Sequence, residues 1–418
     1  MTVRADDRPI ALALAGFGTS TAVLQLSRLI VSMAVAASLG PARWGVWQII
    51  SVLLVYGAMS HLGMLNAMNR EIPKLRGAGR EDEAHDLQAV SLGGMLVGGG
   101  VCGLLGLVGV LLFASEGVRE LALPALALFA AQQVMTYVMM AARSNVRFAI
   151  VSVIQGVQAL MLPLIVLPMA LHLGLRGFLL GNALAIVVTC GLVLHRVPGP
   201  KLPRIDWSRM RDLVRIGFPI LGAGIAHMLL ITSDRWIAGG MLGGVSLGHY
   251  GIVALVLSGL MMIAGVLKQF MYPRMARAWG ATGDPNVLVE WGRRQMRLGF
   301  LVIVPATLGS ILIFPEIIWR FLPDYEAAIP ALRLALPFVA IQPLAAGYGA
   351  ILNILDRQKL HLLIQCGALV FNVALSVALV LTEHGITGVA LGTTLSFAMY
   401  VVALRIAGRR VCRLVKEA

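Results

Sequence analysis

Charge is scarce in this sequence. Asp, Glu, Lys and Arg together make up 13% of its 418 residues, while 58% are hydrophobic; soluble domains usually carry about 25% charged residues. An ordinary water-soluble globular protein is thereby excluded. Cysteine is also rare. Cys102, Cys190, Cys366 and Cys412 are scattered, three in apolar runs and one in the terminal tail, without metal-ligand spacing, so neither a disulfide framework nor a zinc site is expected. Also missing are a nucleophile with a base at motif spacing, a Walker Gly-x-x-x-x-Gly-Lys loop and a His/Cys/Asp/Glu cluster. The sequence therefore predicts no cofactor, no metal and no enzyme activity. Acidic residues number only 20 against 34 basic ones, a formal charge of +14. In a soluble protein that excess would suggest nucleic acid. Here the basic residues lie between apolar runs, so no nucleic-acid partner is expected and membrane lipids are.

What the chain has in abundance is apolar runs long enough to cross a bilayer, which takes roughly 20 residues each. Twelve are read at 11–38, 45–68, 88–114, 121–142, 148–171, 177–197, 213–239, 249–270, 296–319, 331–355, 361–382 and 387–407. Basic residues ahead of the first run, with Ala34-Val35-Ala36 behind, resemble a secretory signal. That reading is rejected because the run from Ile10 to Leu39 far exceeds a signal core and Arg28 interrupts it. With the N-terminus inside, 27 of the 34 Lys and Arg fall in inside segments and adjoining helix ends. Only Arg43, Arg119, Arg176 and Arg320 fall outside, and Arg28, Arg235 and Arg333 lie within spans. The positive-inside rule then puts both termini in the cytoplasm. Two inside segments, Lys201 to Arg215 and Tyr272 to Arg297 with Trp279 and Trp291, are amphipathic; they read equally well as helices in the headgroup layer or as solvated basic loops.

An internal duplication organises the chain. Gly174 to Leu184 and Gly385 to Leu395 share the pattern G-x-x-G-x-x-L-G-x-x-L at an offset of 211. Leu123 to Leu128 matches Ile329 to Leu334, and Arg43-Trp44-Gly45-Val46 matches His249-Tyr250-Gly251-Ile252, both at an offset of 206. Three matches in the same order predict an all-α integral membrane protein of two six-helix lobes, related by a pseudo-two-fold axis along the membrane normal. The expected division is an N-terminal lobe at 1–200, a cytoplasmic linker at 201–215 and a C-terminal lobe at 216–418. The third span is rich in glycine, from Gly93 to Gly109, and is read as a close-packing surface.

The residues singled out for function are ionisable groups at bilayer depth, where a charge costs at least ~2.5 kcal/mol and faces a cavity or a partner. On span 1, Thr21, Gln25, Arg28 and Ser32 fall on one helical stripe. A guanidinium there can hold a diphosphate through paired hydrogen bonds; the alternative is an arginine paired with a carboxylate of another span. On span 7, Asp234 and Arg235 sit toward the outer end, with His227 on the Asp234 face. Only one of the two charges can point straight into a cavity, and an interfacial charge pair is an equal alternative. The mid-span amides Gln155, Gln158, Asn182, Asn353 and Asn372 are read as interhelical hydrogen-bonding groups first.

The stretches Ser38 to Ile49, His61 to Asp82, Arg215 to Ile220, Thr232 to Leu255, Tyr272 to Asp284 and Pro323 to Pro337 carry a resemblance. In their order and spacing the chain resembles the oligosaccharide flippases of the multidrug/oligosaccharidyl-lipid/polysaccharide exporter superfamily. The resemblance covers nearly the whole chain. It implies two six-helix lobes that open alternately around a cationic central cavity. It also implies movement of a polyprenyl-diphosphate-linked oligosaccharide across the bacterial inner membrane, for O-antigen, lipopolysaccharide, capsule or exopolysaccharide, beside a polysaccharide polymerase and glycosyltransferases. Many relatives have an acidic residue where this chain has His61, so no ion-coupling role carries over to that position. The rival readings are an ion-coupled drug exporter of the same superfamily, a membrane-embedded polymerase or glycosyltransferase, and a permease of the major facilitator type. The first calls for cavity carboxylates and the second for a large outside loop. The third calls for a Gly-x-x-x-Asp-Arg-x-Gly loop, where this chain reads NREIPKLRGAGRED.

Overall fold

A computed structural model describes residues 7–145, 147–197, 202–355 and 357–417. Among these residues the regular structure is wholly helical: α1 (Asp7–Gly57), α2 (Met64–Gly77), α3 (Glu81–Phe113), the short α4 (Glu116–Arg119), α5 (Ala122–Ser144), α6 (Phe148–Met161), α7 (Leu167–Val193), α8 (Trp207–Thr282), α9 (Pro285–Phe321), α10 (Ala328–Ala340), α11 (Gln342–Ile354), α12 (Gln358–Leu381) and α13 (Gly385–Glu417). A π-turn at Leu162–Val166, where Pro163 supplies no N–H, joins α6 to α7. Nine described helical stretches are long and apolar enough to cross a membrane. Three of them, Gly16–Gly57, Phe148–Arg196 and Gly224–Met262, contain a glycine with non-helical torsions, at Gly40, Gly174 and Gly243. Each of these stretches therefore supplies two arms, so the nine described stretches divide into twelve arms. The protein is an all-α, multi-pass membrane protein.

The same glycines mark the duplication in the backbone. Left-handed φ values recur at Gly40 and Gly243 (70° and 84°), Gly79 and Gly283 (74° and 61°), and Gly174 and Gly385 (59° and 52°). L-residues with a Cβ are disfavoured there. In the repeated G-x-x-G-x-x-L-G pattern, the second and third glycines serve contact. A Cβ at Gly177 or Gly181 would collide with the turn before it, at Met169 or Val166. At Gly388 and Gly392 it would collide with Leu379 and Ser376.

Two expected spans are subdivided. Residues 45–68 do not form one helix: α1 ends at Gly57, and a turn carries Leu62 and Gly63 at positive φ before α2 begins. The His61 Nδ1 accepts the Gly63 N–H at 3.0 Å and holds that turn. Span 331–355 breaks at Ile341 between α10 and α11, where Pro343 cannot donate to the ladder.

The chain divides into two compact units, one of Met1–Leu39 with Ile49–Gly224, the other of Gly40–Gln48 with Ile225–Ala418. Unit 1 thus includes the amphipathic segment expected as a linker. Lys201, with residues 198–200, lies outside the described residues. From Leu202 onward the segment is folded against α3. Arg204 N–H donates to the Ala89 carbonyl at 3.0 Å, both Arg204 and Arg209 pair with Asp86, and the Arg204 carbonyl occupies the space beside Gly93. Met210 and Leu213 then join Met64, Ala67 and Val90 in a buried cluster. In unit 2 the second amphipathic segment behaves likewise: Trp279 and Trp291 pack around Met275, Leu288, Ala350 and Ile351.

Candidate functional site

On α1 the polar stripe lies at the edge of the packed face. Phe17, Leu24, Val31 and Val35 are buried within unit 1, and Val23, Leu26 and Ile30 are 51–59% exposed on roughly the opposite side, as a lipid-facing strip would be. Between them run Thr21, Gln25, Arg28 and Ser32. Thr21 is buried, Gln25 and Ser32 are half-buried, and Arg28 is exposed. The Thr21 hydroxyl lies 2.6 Å from the Phe17 carbonyl and 2.9 Å from Gln155 Oε1. The Ser20 hydroxyl reaches the same Oε1 at 2.9 Å, and Ser27 donates to the Ala159 carbonyl at 2.7 Å. These bonds tie α1 to α6 and set the rotation of the helix, so that Arg28 is carried on the open side. No described carboxylate lies within 4.0 Å of its guanidinium. Thr21 therefore positions the stripe, while Arg28 is the group with binding capacity to spare.

Unit 2 places its candidates differently. Asp234 is 5% exposed. Its Oδ2 accepts the Tyr250 hydroxyl at 2.8 Å and its Oδ1 the backbone N–H of Arg235 at 2.7 Å. Tyr250 is itself fully buried. Of the adjacent charges, then, the carboxylate turns inward to a partner within unit 2. Arg235 stays half-buried, with its Nε unbonded among the described residues. His227 does not join Asp234: its Nδ1 lies 3.5 Å from the Gln365 amide nitrogen on α12. Arg28 and the span 7 candidates thus fall in separate units.

Sequence reasoning missed most of what surrounds these residues. The His361 ring has its Nδ1 3.0 Å from Asn353 Oδ1 and its Nε2 2.8 Å from the Tyr400 hydroxyl, with the two rings stacked. Asn372 donates to Ser233 at 3.1 Å and accepts from Ser376 at 3.0 Å. His361, Gln365, Asn372 and Ser376 recur at steps of four, seven and four residues along α12, and that spacing was the available signal. Of the mid-span amides, Gln155, Asn353 and Asn372 do bridge helices, whereas Asn182 donates to the Phe178 carbonyl of its own helix. Among the described residues no group of three His, Cys, Asp or Glu could hold a metal ion.

Comparison with known proteins adds the lineage. The solved structures that resemble this chain include an inward-facing multidrug resistance MATE family transporter of the MOP superfamily. It is 18% identical, covers 94% of this chain and 96% of its own, and has a TM-score of 0.71. The outward-facing form of a multidrug resistance MATE family transporter scores 0.65 at 17% identity, covering 97% and 96%. A MOP superfamily transporter from Pyrococcus furiosus, described as having a binding pocket of reverse polarity, scores 0.64 at 17% identity, covering 97% and 96%. An uncharacterized membrane protein of Methanocaldococcus jannaschii is 23% identical over 261 residues, which span 58% of this chain and 60% of that relative. Those structural likenesses give the fold; residues 94–325, more than half of the chain, match the family model described as polysaccharide biosynthesis protein, and to that family the chain belongs.

Proposed function

We propose that this protein moves a polyprenyl-diphosphate-linked oligosaccharide across the cytoplasmic membrane by alternating access, both of its termini lying in the cytoplasm. The observation that supports this most is Arg28, an arginine at bilayer depth on the open side of α1 without a described carboxylate in reach. A charge so placed needs an anionic partner, and a diphosphate matches the planar fork of a guanidinium. Gln25 and Ser32, half-buried on the same stripe, can bond the remaining phosphate or sugar oxygens. The Pyrococcus furiosus relative, whose reverse pocket polarity is reported to suggest a different function, is a precedent within the fold for such a difference. The family description supplies the polysaccharide context.

The energy source follows from charge. A diphosphate carries about two negative charges, and a membrane potential is worth ~2.3 kcal/mol per charge per 100 mV for full crossing. With the cytoplasm negative, outward movement of the anionic cargo runs downhill. Return of the empty, arginine-bearing site runs downhill as well. A polymerase and glycosyltransferases acting on the same lipid-linked units are the expected partners.

Deleting the gene in a bacterial host without a paralogue tests this reading. The expected result is loss of one surface glycan, whether O-antigen, capsule or exopolysaccharide, with lipid-linked units accumulating in the inner membrane. A normal surface glycan together with heightened sensitivity to cationic drugs would replace the flippase reading with the drug-exporter one.

A further inference from the structure

The arginine-rich end of unit 2 holds a pocket that the proposed transport does not use. It is a small recess of about 60 Å³ and lies where the first turns of α9 meet α11 and the last turns of α13. Its polar lining is Arg293, Arg409 and Tyr348, and its apolar lining is Val289, Met296 and Ile351. Among the described residues no hydrogen bond joins either guanidinium or the Tyr348 hydroxyl to a partner, and no carboxylate lies within 4.0 Å of either arginine. The neighbouring arginine, Arg294, is engaged instead, 5.6 Å over the Trp291 ring. Arg293 and Arg409 are themselves exposed, but both line this one recess together with half-buried Tyr348.

Glycine makes the space. A Cβ at Gly408 would lie 3.1 Å from the Tyr348 ring, and one at Gly347 would lie 2.9 Å from Met296. With both absent, the ring and the thioether pack back against the helices and leave the pocket open above them. Three unpaired donors next to an aliphatic wall form an amphiphilic recess. Guanidinium groups suit phosphate oxygens, the phenol adds a third donor, and the Val289, Met296 and Ile351 side suits an acyl chain. Basic pockets between membrane helices bind anionic lipid headgroups on these grounds.

We infer that Arg293, Arg409 and Tyr348 form a binding site for the phosphodiester headgroup of an anionic phospholipid, the first acyl carbons lying against Val289, Met296 and Ile351. The site does not depend on the identity of the cargo.

The test is native mass spectrometry of the purified full chain with phosphatidylglycerol or phosphatidylcholine added, for the wild type, R293Q, R409Q and the double variant. We expect the wild type to retain one phosphatidylglycerol with roughly tenfold or greater preference over phosphatidylcholine. Each single variant should lose part of that preference and the double variant nearly all of it, with unchanged thermal unfolding in phosphatidylcholine nanodiscs. Cys412 gives a readout without mutation, since it is buried and lines the pocket. Phosphatidylglycerol should slow its reaction with a maleimide, while exposed Cys366 reacts at an unchanged rate. An unaltered preference in the double variant, or Cys412 protection by phosphatidylcholine as strong as by phosphatidylglycerol, overturns the assignment. So does one-for-one displacement of phosphatidylglycerol by undecaprenyl diphosphate or inorganic pyrophosphate, because the site would then belong to the cargo's diphosphate.

Discussion

In unit 1 the first helix carries Arg28 on its open side, and the hydrogen bonds beside it are made by Ser20, Thr21 and Ser27 to α6. In unit 2 the corresponding arm of α8 holds a carboxylate shut. Counted back from the bends at Gly40 and Gly243, Arg28 lies twelve residues before its bend, and Asp234, bonded to buried Tyr250, lies nine before its own. Around it, Ser233, Asn372 and Ser376 close further hydrogen bonds among themselves. The arms before the two bends therefore carry a charge with binding capacity in one half and an internally bonded carboxylate in the other. Duplication set the helices, and divergence placed an internally bonded carboxylate in one half only, beside half-buried Arg235. The difference can be broken at several points.

The largest effect is expected at Arg28. R28A should lower export of lipid-linked glycan roughly 10- to 100-fold, the worth of a charge-assisted hydrogen-bonded pair, with membrane abundance near normal. R28K keeps the charge but loses the planar fork and should retain partial export. Glycan export, abundance and thermal stability measured together decide the matter. An abundant R28A protein with full export removes the residue from the mechanism.

At Asp234 the order of losses should be reversed. Y250F leaves a buried carboxylate without its hydroxyl partner, at a cost of about 1–3 kcal/mol. Thermal stability in detergent should fall before export per molecule does. If export falls at unchanged stability, unit 2 carries a working charge as well and the contrast disappears.

Next in size are the glycine contacts of the repeat. G177A places a methyl on the Met169 carbonyl of the preceding arm and G392A places one on Ser376 of α12; each should cost about 1–3 kcal/mol, as overpacking does. Their similar magnitude, read as shifts in unfolding temperature, would show that the halves agree in packing where they differ in charge. Smallest is Q155A. It leaves the Ser20 and Thr21 hydroxyls only the Phe17 carbonyl and should cost about 1 kcal/mol, with a modest loss of export because α1 is then less firmly rotated. Orientation is tested separately: cysteines introduced next to Arg43, Arg119, Arg176 and Arg320 should label from outside intact cells, and G79C and G283C should not.

Much of this was legible in the sequence because bilayer insertion leaves few choices. Apolar length and the side-to-side bias of arginine follow from the solvent, so the all-helical, many-span reading needed no tertiary information. Where the reading failed, a local backbone event intervened. The turn at Leu62 and Gly63 and the break before Pro343 lie inside continuous apolar runs, where hydropathy is blind to torsion angles. The polar stripe of α1 was legible from spacing alone, but its division of labour was not. That Thr21 is taken up by Gln155 while Arg28 is left open depends on where α6 packs. Tyr250 could not be recognised as the partner of Asp234, since the two lie 16 residues apart across the bend at Gly243.

The paired left-handed glycines also bear on how such a chain can be compared with itself. Side chains along the two halves have drifted until one arm carries a cation and the other an anion a few residues out of step, so matching by chemistry fails. Torsion angles that only glycine adopts without strain drift more slowly, since the price of replacing them is set by the backbone and not by cargo. Gly40 with Gly243, Gly79 with Gly283, and Gly174 with Gly385 therefore serve as fixed fence posts. Two halves can be laid on one another from post to post, and whatever differs between posts is where each half acquired work of its own.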